Sequence, residues 1–242
     1  SIIFGFLAIA IIFDLDPVLL FTMTLTITTP IGMAALGAVF SEKSGVVNIA
    51  LEGMMLTGAF VSVWITWETK DPWAGVVGAI IAGAIMGFVF AVASIKFRAD
   101  QVVVGVALNI VASALTTLGL VLVWGIRGTS PSVNRLTNIK LDFLVNIPVV
   151  GELLYALSGG STGLSPIVYI FILGIFASYW VIQRTSFGLR IRSVGEHPRA
   201  ADTLGINVYL IRYICVTISG ILSAIGGAQL TLGVTSVFGK NM

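Results

Sequence analysis

Long uncharged stretches follow one another along this chain, and they decide what it can fold into. Val18–Phe40, Trp73–Ile95, Gln101–Ile126, Ser165–Ile182 and Tyr213–Gly239 contain no Asp, Glu, Lys or Arg, and Val46–Trp67 contains only Glu52. A bilayer core needs about 20 apolar residues per helix. Each stretch is therefore read as one span, six in all, giving an all-α, polytopic helical membrane protein. Ser1–Phe13 is shorter and equally uncharged, and is read as part of a seventh helix at the N-terminus. Composition agrees: charged residues make up 10% of the chain, against about 25% in soluble domains. That excludes a soluble enzyme, a nucleic-acid binder and a disordered chain. The spans are expected to form one transmembrane domain over residues 1–242.

Two intervals stand apart from the spans. Arg127–Leu164 contains Pro131, Pro148 and the run Ser158-Gly159-Gly160-Ser161-Thr162-Gly163. It is expected to be an external loop region, with Leu141–Leu157 a short re-entrant or interfacial helix pair. Gln183–Asn207 is basic, with Arg184, Arg190, Arg192 and Arg199. The excess of Lys and Arg in cytoplasmic loops puts it inside. Alternation then places Lys43, Lys96, Arg98 and Arg212 inside as well, and Lys70, Arg127, Arg135, Lys140 and Lys240 outside.

Within the spans, Gly83 and Gly87 form a GxxxG pair, a pattern that lets helix backbones approach closely. Pro30 lies mid-span and predicts a break or bend in the first helix. Cys215 sits in an apolar run and reads as a buried, inert thiol. No His/Cys/Asp grouping has metal-ligand spacing, and no nucleophile–base pair is present, so catalysis by this chain is not expected.

Glu52 is the one ionisable group deep within an expected span, where a charge is costly and needs protein or water around it. Asn48 lies four residues earlier and would share its face on a helix. Two uses stay open for Glu52: packing against a neighbouring helix end, or forming a polar element of a translocation path. Asn109, Ser113 and Thr116/Thr117 make a polar stripe, read either as interhelical hydrogen bonding or as solute contact. Asn48, Glu52, Asn109 and Gln229 are the candidate pathway residues. A neutral lining suits an uncharged hydroxylated or amide-bearing solute. In Gln183–Asn207, Pro198 fits a helix start and Gly205 a helix stop. The two turns between them, Pro198–Leu204, are too short to stand alone in water and are expected to dock.

The stretch Gly188–Gly205 reads G-x-R-x-R-x-x-G-E-x-x-x-A-A-x-x-x-G. It resembles the cytoplasmic coupling loop of ABC importer permeases serving branched-chain amino acids, ribose-type sugars and nucleosides. Val39–Leu56, with Glu42-Lys43-Ser44-Gly45-Val46-Val47-Asn48-Ile49-Ala50-Leu51-Glu52-Gly53-Met54, is similar to permeases of nucleoside importers that use a Bmp-type lipoprotein. It departs mildly in having Ala50 where that group has Gly. Phe97–Ile110 resembles the following block of the same group. The resemblance implies ATP-driven nucleoside import by alternating access, with a sugar or branched-chain amino acid permease as the alternative within the group. A stand-alone secondary transporter is the alternative outside it, and would call for paired intramembrane charges. The implied partners are ATPase subunits carrying ATP and Mg, a second, related permease subunit and an external substrate-binding lipoprotein. The chain would lie in cell-membrane lipid, bind no cofactor or metal itself, and lack the last helices of a whole permease. Gly188, Arg190, Arg192, Gly195, Glu196, Ala200, Ala201 and Gly205 would couple it to the ATPase.

Overall fold

The computed structural model describes residues 17–126, 128–140 and 163–239. They fold as helices α1 (Pro17–Lys43), α2 (Leu51–Thr69), α3 (Pro72–Ala91), α4 (Gln101–Trp124), α5 (Pro166–Arg184), α6 (Ser186–Glu196), α7 (Pro198–Thr203) and α8 (Val208–Ala228). Wider π turns extend α3 over Val92–Lys96 and α8 over Gln229–Thr235. The described residues hold no strands, only isolated bridges joining Thr129 to Gly239 and Ile139 to Leu164. Five helices, α1, α3, α4, α5 and α8, are long and apolar enough to cross a membrane. The expected Ser1–Phe13 helix and the helix pair in Leu141–Leu157 lie outside the described residues.

The helix starts follow local chemistry. Asp71, Asp100 and Asn207 each accept hydrogen bonds from the first free N–H groups of α3, α4 and α8, donors that a helix start leaves unpaired. Pro72 and Pro166 occupy first-turn positions, where a missing N–H costs nothing.

Of the break or bend expected at Pro30, the break is absent: α1 runs unbroken through it. Nor does a helix fill Val46–Trp67: Val46–Ile49 is non-helical and α2 begins only at Leu51. Asn48 and Glu52 therefore do not share a helix face.

α8 is the central helix, packed against α1, α2 and α3. Its contact with α3 relies on missing side chains. A Cβ on Gly83 would collide with Gly220 O and Ala224 Cβ, one on Gly87 would lie 2.9 Å from Val216 O, and one on Gly220 would collide with Gly83 O. The expected GxxxG pair thus brings two backbones into contact, as small residues do in lipid. At one end of the bundle, Phe40, Ile182, Ile191, Val194, Ala201, Val208, Ile211 and Cys215 form a buried cluster. At the other, Val76, Ala79, Leu136, Ile167, Ala228 and Leu232 form another. α6 and α7 belong to the first, the end where α1, α3 and α5 finish in Lys43, Lys96 and Arg184.

Gly220→Val is expected to lower stability by about 1–3 kcal/mol through overpacking. Gly174→Ala, whose added methyl meets only Leu36 Cδ1 at 3.4 Å, should stay within about 1 kcal/mol of the parent. Thermal unfolding in detergent separates the two.

Candidate functional site

The site is built around the gap between α1 and α2. α1 ends in a left-handed glycine: Gly45 has φ +83°. Val46 N–H donates to Ser41 O at 3.2 Å and Gly45 N–H to Glu42 O at 2.9 Å, the paired bonds of a glycine-capped helix end. Ser41 Oγ donates to Val46 O at 2.6 Å, and Arg212 Nε to Ser44 O at 3.2 Å. From there Ser44–Ala50 alternates: Ser44, Val46, Asn48 and Ala50 are buried while Gly45 and Val47 are exposed. Over the non-helical Val46–Ile49 that alternation is what extended backbone produces.

Side chains supply hydrogen-bond partners that this backbone cannot find within a helix. Val47 N–H donates to Gln101 Oε1 at 2.8 Å. Asn48 Oδ1 accepts from Ala50 N–H at 3.0 Å, while its Nδ2 donates to Ser219 Oγ at 2.9 Å. Asn109 Nδ2 donates to Ile49 O at 3.0 Å, and its Oδ1 accepts from Gly53 N–H at 2.8 Å. One side chain on α4 thus holds both the extended segment and the first turn of α2. Gly105 makes room: a Cβ there would lie 2.8 Å from Ile49 Cβ and 3.2 Å from Ala50 N.

The four candidate pathway residues sit in different surroundings. Asn48 is buried, with both ends of its amide engaged. Glu52 is exposed in the first turn of α2, where the helix dipole favours a carboxylate. It makes no ion pair among the described residues and borders a small recess with Met55, Leu56, Ala59 and Leu230. Asn109 is half-buried and begins an open face of α4 that continues through Ser113 and Thr117. Gln229 is fully buried at the far end of α8. Its Oε1 accepts from Ser165 Oγ at 2.8 Å, and its Nε2 has no partner among the described residues.

The residues of the basic loop do converge. Sequence reasoning found α7 but missed α6. The signal was present: Thr185 caps Gly188 N–H at 3.1 Å, and Phe187, Ile191 and Val194 follow at helical spacing. Gly188 lies against the Val181 and Ile182 carbonyls, and Gly195 against Lys43 O; a Cβ at either would collide. Seven residues apart, they seat one face of α6 on the ends of α5 and α1. Arg190, Glu196 and Ala200 are exposed, Ala201 is buried, and Arg192 Nη1 donates to Gln183 Oε1 at 3.3 Å. Gly205 stops α7 at φ +78°, with Ile206 N–H donating to Ala201 O and Gly205 N–H to Asp202 O. Leu189 and Leu204, 58% and 80% exposed, stand on the outer surface of the loop.

Residues 20–242 match the family described as branched-chain amino acid transport system / permease component. The chain belongs to that family. Among curated relatives it is 44% identical over 213 residues to the guanosine ABC transporter permease protein NupQ of Bacillus subtilis, covering 84% of this chain and 64% of that protein. It is 37% identical over 217 residues to the nucleoside ABC transporter permease protein NupC of Lactococcus lactis, covering 87% and 66%. A second guanosine permease protein of B. subtilis, NupP, is 21% identical over 211 residues, covering 85% and 58%. The chain thus spans about two-thirds of the length of NupQ and NupC. The family's members are transport components, in keeping with the expectation of a membrane permease rather than an enzyme.

Asn48→Ala is expected to cost about 1–3 kcal/mol, because it leaves Ala50 N–H without its acceptor in the protein interior. Asn48→Asp should cost more, since it places a carboxylate at a position only 4% exposed. The order Asn48, Ala, Asp in thermal stability checks the assignment.

Proposed function

We propose that this chain is the permease subunit of an ATP-driven importer that carries nucleosides across the cell membrane by alternating access. ATP and Mg would sit on separate ATPase subunits docked against α6–α7, with Gln183–Asn207 on the cytoplasmic side. The observation that carries this reading is the two-sided build of that loop. Its inner face is keyed by Gly188, Gly195, Ile191 and Ala201 into the ends of α1, α5 and α8. Its outer face presents Leu189, Leu204, Arg190 and Arg199. An exposed apolar tip on a rigidly seated element suits a protein groove better than water.

The solute path follows α4. That helix packs mainly on α2 and presents Ser113 and Thr117, whose hydroxyls bond to no described residue. A neutral hydroxyl stripe fits an uncharged, hydroxylated solute such as a nucleoside, and the printed functions of NupQ and NupC support that class. B. subtilis contains two guanosine permease proteins that differ in their likeness to this chain, which supports a related but distinct second permease subunit. An external substrate-binding lipoprotein would deliver the solute.

The test is assembly and sidedness. With Thr203→Cys in a Cys215→Ala background, labelling is expected from the cytoplasmic side together with crosslinking to an ATPase subunit. Labelling only from outside, or no crosslink, overturns the reading. Gly205→Val forces a β-branched residue into left-handed backbone at a cost of about 1–2 kcal/mol. It should lower solute-stimulated ATP hydrolysis while leaving lipoprotein affinity for the nucleoside unchanged. Glu52→Gln should leave the complex assembled on gel filtration and lower vesicle uptake only modestly, because Glu52 has no cation partner to strand among the described residues.

A further inference from the structure

Beyond the loop and the α4 face, the non-helical segment Ser44–Ala50 joins the two. It touches three elements. On the loop side, a Cβ on Gly45 would lie 3.4 Å from Gly195 Cα, and Lys43 O lies against Gly195 itself. On α8, Ser44 O accepts from Arg212 Nε and Asn48 Nδ2 donates to Ser219 Oγ. On α4, Val47 N–H donates to Gln101 Oε1, Ile49 O accepts from Asn109 Nδ2, and Ile49 packs on Gly105. Contacts between α1 and α2 themselves are few.

From this we infer that Ser44–Ala50 is a strut transmitting displacement of the ATPase-facing helix α6 to the solute-facing helix α4, with Gln101, Asn109 and Ser219 as its positioning residues. The inference rests on the proposed function above. Three features make the segment suited to the task. The segment reaches from Gly195, against Gly45, to Gln101, Gly105 and Asn109 along the first two turns of α4. Gly195 leaves no side chain to yield at the loop contact, so α6 cannot approach α1 without moving it. The α4 end is held by a side chain with a bond on each side of the junction, Ile49 and Gly53, so α4 and the start of α2 move with the segment.

The test uses the complete importer in vesicles, with Ser113→Cys as the reporter in a Cys215→Ala background. An impermeant maleimide is applied from the cytoplasmic side, without nucleotide and with ATP. In the otherwise unsubstituted importer the labelling rate should change about tenfold between the two states, within the range for coupled sites. Gln101→Ala/Ser219→Ala should keep the ATPase bound and its basal ATP hydrolysis intact. The labelling change should shrink to below about twofold, and nucleoside taken up per ATP should fall about tenfold. Gln101→Glu/Ser219→Thr, which keeps a carbonyl-type acceptor for Val47 and a hydroxyl for Asn48, should restore both. Should the double variant fail to assemble, Gln101→Ala alone is read in the same way. Val47 is 48% exposed, so water can satisfy its freed N–H, and a partial loss of about threefold is expected. Unchanged labelling response and uptake per ATP overturn the strut. So does a parallel fall of uptake and hydrolysis with their ratio preserved, which marks a merely structural role. If the unsubstituted chain carries no ATPase, it is the proposed function that fails, before the strut is reached.

Discussion

Backbone that leaves the helix inside a membrane protein must find partners elsewhere, because each unpaired N–H or C=O costs several kcal/mol in hydrocarbon. That constraint explains the centre of this structure. Val46–Ile49 departs from helix between two long helices, and polar side chains from three directions answer it: Ser41 from α1, Gln101 and Asn109 from α4, and Arg212 from α8. Asn48 satisfies its own chain at Ala50 and ties it to Ser219. Removing any of these would leave the departure from helix less well compensated.

The second dependence is on size. α8 reaches α1, α2 and α3 only because small residues line its contacts. A Cβ on Gly226 would collide with Pro30 O, one on Gly227 with Met55 O and one on Gly220 with Gly83 O. Lipid offers no hydrophobic drive for helices to associate, so close backbone contact and its dispersion energy must do so. The same device seats α6, where Gly188 and Gly195 take carbonyls of α5 and α1 in place of side chains. One principle therefore packs the spans and mounts the basic loop on them.

How far the sequence revealed this depended on the strength of the local signal. The uncharged stretches marked where α1, α3, α4, α5 and α8 would lie, because hydrocarbon thickness imposes a length that soluble folds do not. Pro198 and Gly205 marked α7 through backbone geometry alone. The interruption at Val46–Ile49 was hard to see, because three of its four residues are apolar and the partners that hold it, Asn109 and Ser219, lie far along the chain. Gly45 was the local hint, and only its φ of +83° turned the hint into a chain reversal. α6 escaped for a different reason: a basic loop advertises sidedness, and its apolar positions 187, 191 and 194 are spread thinly among Arg and Ser. At Pro30 the lost donor does not break the helix, and α1 carries the proline in mid-run.

Polar residues in a span are often read as one class, and here they divide into two. Asn48, Ser62, Thr66, Thr116, Ser219, Ser223 and Thr231 are buried and bonded within the protein. Their polarity serves backbone and helix contacts. Ser113 and Thr117 stand on the open face of α4 and bond to no described residue. Asn109 belongs to both groups: its amide holds Ile49 and Gly53, and its position begins the open stripe. A residue so placed cannot move without disturbing Ile49 and Gly53, nor can they shift without altering the face of α4. Asn109 is one of three links from the segment to α4, with Gln101 at Val47 and Gly105 at Ile49. Burial and bonding, rather than polarity alone, thus separate the residues that hold this protein together from those left on an open face.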